Sequence, residues 1–344
     1  MSIIERLQPH TVRIYKLTES SCVVKSIDAR FLLSPSRFDL FAKLYYARNR
    51  ERNAEDALSV YYSHIKAFNP DFKEPGREDK KGYHVFVSTF NLLLDTFKDK
   101  DFDETISLVP ITEDNVILDG AHRVAALAYW NRKIGVAECK HIKPKCDFNY
   151  LYFKNRGLSW STMDKVALEM LDWIPDMRVA CLWPIMKDKS KAIDIIKSNF
   201  YIAYEKRISV NLKSFEFFIS KVYSAQSWAK KKQYISDKAI NCYGNGGEIW
   251  FVFFSSNNSS DVIHVKEIIR TLYRVKKHSI HITDNSTETK DLGNYILNRK
   301  VLDSWNSRSH CFSLIEIVCE RLHYFRNVQI IKIKAFILKI FSNN

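Results

Sequence analysis

Val116-Ile117-Leu118-Asp119-Gly120-Ala121-His122-Arg123-Val124-Ala125-Ala126 constrains the fold of this chain more than any other stretch. Val116 to Leu118 read as a short buried strand, Asp119-Gly120 ends it, and Val124, Ala125, Leu127, Ala128 and Tyr129 begin a helix. A strand, a glycine and a helix N-terminus in direct succession gather unpaired backbone N–H groups at one point. The helix dipole adds partial positive charge there, so the point favours an anion. His122 and Arg123 fall in the first turn, where a guanidinium can fork onto phosphate oxygens. Asp119 stands on the opposite lip as a carboxylate. The plain alternative is a strand-to-helix turn with Asp119 as N-cap and His122-Arg123 on a solvated face.

The longer pattern D-G-x-H-R, after an apolar strand and before an alanine-rich helix, resembles the ParB/sulfiredoxin-like superfamily, which includes free serine kinases, sulfiredoxins and ParB partition proteins. The resemblance covers roughly Ile106 to Ile142, extending back toward Ser20, well under half the chain. It implies a small α/β nucleotide-binding fold in which the His122-Arg123 pair holds phosphates. Sulfiredoxin-like members place a reactive cysteine where this chain has Ala121, so thiol chemistry is not expected here. Asp119-Gly120-Ala121-His122 is nearer to the kinase-like members than to the nucleotide switches.

A length of 344 residues predicts two domains, or three small ones, and 46% apolar residues suffice for a core. The boundaries expected are 1–145 for the nucleotide-binding domain and 146–324 for a second α/β domain that offers an acceptor site. Residues 325–344 would form a basic apolar C-terminal helix. Met1 to Arg6 carries charge too early for a signal peptide, and no stretch is long enough for a membrane span. Cys22, Cys139, Cys146, Cys181, Cys242, Cys311 and Cys319 form no paired framework, which predicts a reducing compartment. Cys139-Lys140-His141 with Cys146 lacks a second half of metal-site spacing, so no metal site is expected there. The net charge of +14 calls for an anionic partner: nucleic acid, acidic lipid or a nucleotide-linked substrate.

Along the chain, Val12, Ile14, Tyr15, Val23, Val24, Ile27, Phe31 and Leu32 alternate as strands, and Ser36 to Phe68 is helical with a charged corner at Arg48 to Asp56. Phe68 to Gly82 reads as a loop by its prolines and glycines. Its length and mixed charge fit a functional loop supplying Glu74 as an acid, or equally a solvated insertion. A helix over Val85 to Phe97 follows, then strands at Ile106–Pro110 and Ile134–Cys139 around the central motif.

In the second half, helices are expected at Trp160–Trp173, Ala192–Phe200 and from Ser214 into Lys230-Lys231-Lys232. Val179–Ile185 is a strand candidate, and Ile249–Phe254 a strand buried on both faces. A helix over Val262 to Leu272 and a strand from Lys276 to Asp284 come next. Asn285 then caps a further helix, with Glu288 as its reciprocal partner. Arg270, Lys277, His281 and Asp284 form a second candidate site, together with Lys276 and His278. On that strand His278 shares the face of Ile280 and Ile282, and His281 the opposite face with Ser279 and Thr283, which favours His281 for function. The tail Phe325 to Phe341 mixes apolar residues with Arg326, Lys332, Lys334 and Lys339, and suits either packing on the body or an anionic membrane interface.

These readings converge on a nucleotide-dependent phosphotransferase that uses ATP or another nucleoside triphosphate with Mg2+. Asp119 and Glu74 would be its acids, and Gly120, Ala121, His122 and Arg123 its phosphate cradle. The basic, aromatic-rich second half points to a sugar or glycan acceptor, as in cell-envelope polysaccharide synthesis. The expected place is the cytoplasm, peripheral to the inner face of the membrane. The other class is a ParB-like, nucleotide-switched DNA-binding regulator, which would explain the charge. Against specific DNA binding, Trp160–Trp173 is followed by Pro175 and an apolar strand, not by a recognition helix.

Overall fold

A computed structural model describes residues 1–74 and 76–306 of the chain. Cys311, Cys319 and the expected C-terminal helix lie outside the described residues. The first element is α1 (Pro9–Tyr15), with Pro9 in the first turn, where its fixed φ suits a helix and its missing N–H costs nothing. Val12, Ile14 and Tyr15 therefore belong to a helix, not a strand, whereas Val23, Val24 and Ile27 do lie in a strand, β1 (Cys22–Asp28). Phe31 and Leu32 fall in a 3-10 turn that Asp28 caps by accepting the Arg30 amide at 2.8 Å.

Two helices follow, α2 (Phe38–Asn49) and α3 (Ala54–Phe68), on either side of the charged corner. The proline-containing loop is in part a hairpin, in which β2 (Lys73–Glu74) pairs antiparallel with β3 (Arg77–Lys81). Then come α4 (Tyr83–Asp99), β4 (Val109–Thr112), α5 (Ala121–Tyr129) and β5 (Lys133–Cys139). Val116 to Leu118, expected as a strand, makes one isolated bridge between Ile117 and Ile111. Asn115, at φ 59°, turns the chain back onto β4, and Asp119-Gly120 ends the pairing before a ladder can form.

The second half adds α6 (Tyr150–Asn155), α7 (Trp160–Trp173), β6 (Met177–Leu182), α8 (Ser190–Asn199) and β7 (Ile202–Val210). It continues through α9 (Leu212–Val222), α10 (Lys232–Tyr243), β8 (Gly247–Ser255), α11 (Ser259–Leu272), β9 (Ile280–Ile282), α12 (Ser286–Leu297) and α13 (Arg299–Trp305). The helix expected to reach the lysine run stops at Val222. Lys230 ends a separate 3-10 turn, and Lys232 begins α10. Asn285 caps α12 by accepting the Glu288 amide at 2.9 Å. The Glu288 carboxylate reaches back one residue further than a capping box requires, to the Asp284 amide at 2.7 Å.

The chain is thus mixed α/β, 54% helix and 17% strand. A three-stranded sheet has the order β1-β5-β4, antiparallel between β1 and β5 and parallel between β5 and β4. A four-stranded sheet has the order β7-β8-β6-β9 with every neighbour antiparallel. β8 is central and buried on both faces: Ile249, Phe251 and Phe253 point to one apolar cluster and Val252 and Phe254 to another. The larger cluster runs unbroken from Ala29 to Trp305, across residues 145 and 146, through packing of α2 on α7 and of Phe38 on Tyr204 at 6.2 Å. No described helix is long and apolar enough to cross a membrane.

α2 is buried almost all round, and it buries charge with it. Arg37 Nε and Nη2 grip both oxygens of Asp39 at 2.8 and 2.9 Å, and Lys43 Nζ reaches Asp39 Oδ2 at 3.1 Å. On α7, Glu169 meets Arg48 at 3.1 Å and accepts the Trp173 indole N–H at 2.7 Å. Burial nevertheless pushes its carboxyl from 4.5 up to about 7, Arg48 and Trp173 pulling the other way. A raised acid stabilises the fold in its protonated form, so this contribution is whole below pH 4.5 and is lost as pH rises through about 7. Glu169→Gln is therefore expected to match or exceed wild-type stability at pH 8 and to lose that advantage toward pH 5. Denaturant melts at the two pH values check this, and a variant less stable at pH 8 than at pH 5, relative to wild type, would contradict it.

Candidate functional site

The turn between β4 and α5 is shaped by Gly120, which is the N-cap residue of α5 in the left-handed region at φ 82°. Both its conformation and its surroundings demand glycine. A Cβ there would lie 2.8 Å from Arg123 Nη2 and 2.9 Å from Val109 Cγ2. Asp119 is thus one residue short of the N-cap position, and among the described residues no side chain caps α5. The amides of its first turn, Ala121 to Arg123, have no carbonyl of a preceding turn to bond.

Arg123 folds back over Gly120. Its Nη1 donates to Ser107 Oγ in a short bond and to the Leu108 carbonyl at 3.3 Å. Burial lowers its pKa, while the negative charges of Asp119 and Glu74 hold the proton on. Glu74 arrives from β2, so the hairpin brings to the turn an acid distant in sequence. His122 Nε2 lies 2.8 Å from the Tyr61 hydroxyl. Its ring packs edge-on against Phe90 at 5.1 Å and near Phe86 at 6.3 Å. Burial first, and then the Tyr83, Tyr46 and Glu74 charges, raise the Tyr61 phenol well above its ordinary value, so it is a neutral donor or acceptor to the imidazole.

The structure therefore assembles Glu74, Asp119, Gly120, Ala121, His122 and Arg123 around one helix N-terminus. Tyr61 and Ser107 join them. Tyr61 had the spacing of a core residue, and only packing reveals its hydroxyl as a partner of His122. Arg37 acts from behind: its Nη1 donates to the Ile117 carbonyl at 2.6 Å, fixing the chain two residues before Asp119. Charged Arg37, Asp39 and Lys43 inside the apolar run Phe38, Leu40, Phe41, Leu44 were the available signal.

The second candidate set disperses into local pairs. Arg270 Nη1 bonds Glu267 at 2.7 Å, and Asp284 lies 3.5 Å from Lys266. The Lys277 carbonyl accepts from Lys238 at 2.9 Å. Lys276, Lys277 and His278 form a 3-10 turn and β9 spans only Ile280–Ile282, so the strand expected from Lys276 to Asp284 is shortened at both ends. His281 is buried, not open: its Nε2 is 2.8 Å from Glu288 Oε1 and its ring 5.3 Å from Tyr223. Both faces of β9 are covered, so His278 is the more exposed histidine of the two. Since β9 is antiparallel to β6, the rule that places ligands beyond the carboxyl ends of parallel strands has no purchase here. Of the proposed cysteine cluster, Cys139 is buried with its sulfur 3.3 Å from that of Cys22, and Cys146 is exposed.

No family model matches this chain, and no curated protein matches it in sequence.

Proposed function

We propose that the chain is a nucleotide-dependent phosphotransferase whose phosphate cradle is the turn Gly120 to Arg123. The observation that carries this reading is Arg123 folded over Gly120 at the N-terminus of α5, where no side chain caps the helix and the charges of Glu74 and Asp119 act on the guanidinium. The N–H groups and guanidinium suit the phosphates of ATP or a related triphosphate, and the carboxylates suit the acceptor side. In the reaction, the acceptor hydroxyl oxygen bonds to the γ-phosphorus, the bond to the bridging oxygen breaks, and the nucleoside diphosphate leaves with that electron pair. Asp119 accepts or orients the hydroxyl proton, and Glu74 is the second acid. Carboxylate oxygens of this kind are also the donors that Mg2+ prefers, and a bound Mg2+ would neutralise phosphate charge. The resemblance to the kinase-like members of the ParB/sulfiredoxin-like superfamily supports the same assignment, as does the mixed three-stranded sheet beside the turn. A sugar or glycan acceptor, a cytoplasmic place and contact with an anionic membrane surface are parts of this proposal that rest on charge and composition.

Arg123→Ala is expected to weaken ATP binding about tenfold or more, the scale of a lost charge-assisted contact. Calorimetry checks this, with a melting curve to account for the lost bonds to Ser107 and Leu108. Equal affinity in a folded variant would end the proposal. The nucleotide-switched DNA regulator is favoured by the net charge of +14 alone. Sequence-selective DNA binding that survives physiological salt would establish it instead, because charge-driven binding collapses as salt rises.

A further inference from the structure

We infer that a cleft along the outer edge of the four-stranded sheet binds a phosphorylated sugar of hexose phosphate size. The cleft encloses about 420 Å³, within the range of small-molecule sites, and is walled by α6, the start of α7, edge strand β7 and α13. Two cations line it on aromatic supports. Lys154 Nζ lies 5.0 Å over the Trp160 ring, and Arg207 Cζ lies 3.6 Å over the Trp250 ring. Of the other charges in the lining, Lys206 pairs with Asp164, which also accepts the Tyr204 hydroxyl at 2.8 Å, Arg299 pairs with Asp303 at 3.0 Å and Glu205 with Lys197 at 3.4 Å, while Glu248 accepts the Trp250 indole N–H at 3.2 Å. Among the described residues, Lys154 and Arg207 have no carboxylate within ion-pair distance. They are held by the indoles without an ion-pair partner among the described residues, which suits an anionic group.

The remaining lining selects the rest of the ligand. Trp160, 41% exposed, lines the cleft, and the ring surface that Lys154 leaves uncovered suits the C–H face of a pyranose ring. Glu248, Ser161 and Ser209, which line the same cleft, supply acceptors for ring hydroxyls. A purely apolar ligand would strand these groups, and an anion without hydroxyls would meet Glu248 unfavourably. Phosphate for the cations, a ring for Trp160 and hydroxyls for Glu248 and the serines describe one ligand class. The inference does not depend on the chemistry assigned to Gly120 to Arg123.

The test is calorimetric titration of the full chain with glucose 6-phosphate and glucose 1-phosphate, against glucose, inorganic phosphate and AMP. Lys154 and Arg207 are exposed, so Lys154→Gln and Arg207→Gln should fold normally, which melting curves verify. At least one hexose phosphate is expected to bind more tightly than glucose or phosphate alone. Each variant should weaken it about tenfold, the scale of one charge-assisted contact. Arg123→Ala should leave that binding unchanged, which separates this cleft from the turn. The inference is overturned by no binding at about 10 mM ligand, by equal affinity in both cleft variants, by tighter binding of AMP, or by a loss confined to Arg123→Ala.

Discussion

Asp39→Ala is expected to destabilise the protein by about 3–5 kcal/mol, the cost of leaving buried charge without its partner. Asp39 is fully buried, and its carboxylate is shared by Arg37 and Lys43, themselves at most 5% exposed. Burial pushes the Asp39 carboxyl upward, yet Arg37 and Lys43 together hold it far below the usual carboxylate range. A depressed acid contributes stability above its unfolded pKa, here 3.8, and loses it only as pH falls toward the folded value. The ion network is therefore intact throughout the neutral range. A chain of this size should show a Tm lower by on the order of 10 °C. The effect should reach the turn as well, since Arg37, released from Asp39, no longer holds the Ile117 carbonyl in place. Replacing Arg37, Asp39 and Lys43 together by apolar residues of similar volume should recover much of the loss. Asp39→Ala melting within about 1 kcal/mol of wild type would refute the account.

Asp119→Asn is expected to lower phosphoryl transfer at least about a hundredfold, the usual scale for a positioned acid–base group. Folding should be untouched. Gly120 rather than Asp119 is the N-cap residue of α5, so neither Asp119→Asn nor Asp119→Ala removes a capping bond. That placement sharpens the experiment, because the roughly 1 kcal/mol that a lost cap would cost is no longer part of the comparison. Nucleotide affinity should change little beyond the effect of one charge near Arg123, whereas turnover collapses. Rates of phosphate transfer to a panel of sugar acceptors, measured with ATP and Mg2+, make the test. A fully active Asn variant means that Asp119 is scaffolding and that Glu74 alone must carry any acid–base role.

Local chemistry alone was enough to specify the turn. Gly120 after Asp119, with an alanine-rich helix beyond, marks the turn and the helix start, and the φ of 82° found there is one that glycine adopts freely. The helix Trp160–Trp173, the helix read from Val262 to Leu272 (it begins at Ser259) and the doubly buried β8 were likewise legible, because a long periodic or continuous apolar pattern dominates short-range alternatives. Alternation misled at Val12 to Tyr15, where a proline in the first turn made a helix of a strand-like pattern. It misled again at His281, where the second face of β9 is covered by elements remote in sequence.

What only the tertiary structure decided is which distant groups meet. The hairpin carries Glu74 to Arg123, α3 sets Tyr61 against His122, and the Arg37–Asp39–Lys43 network braces the approach to Asp119. The cleft at Lys154, Trp160 and Arg207 draws on α6, α7 and β7, and α6 and β7 showed no periodicity that marked them in advance. Backbone conformation follows from a few neighbouring residues, so sequence determines it directly. Long-range electrostatic pairing and desolvation depend on how separated segments pack, and these appear only once the chain is folded.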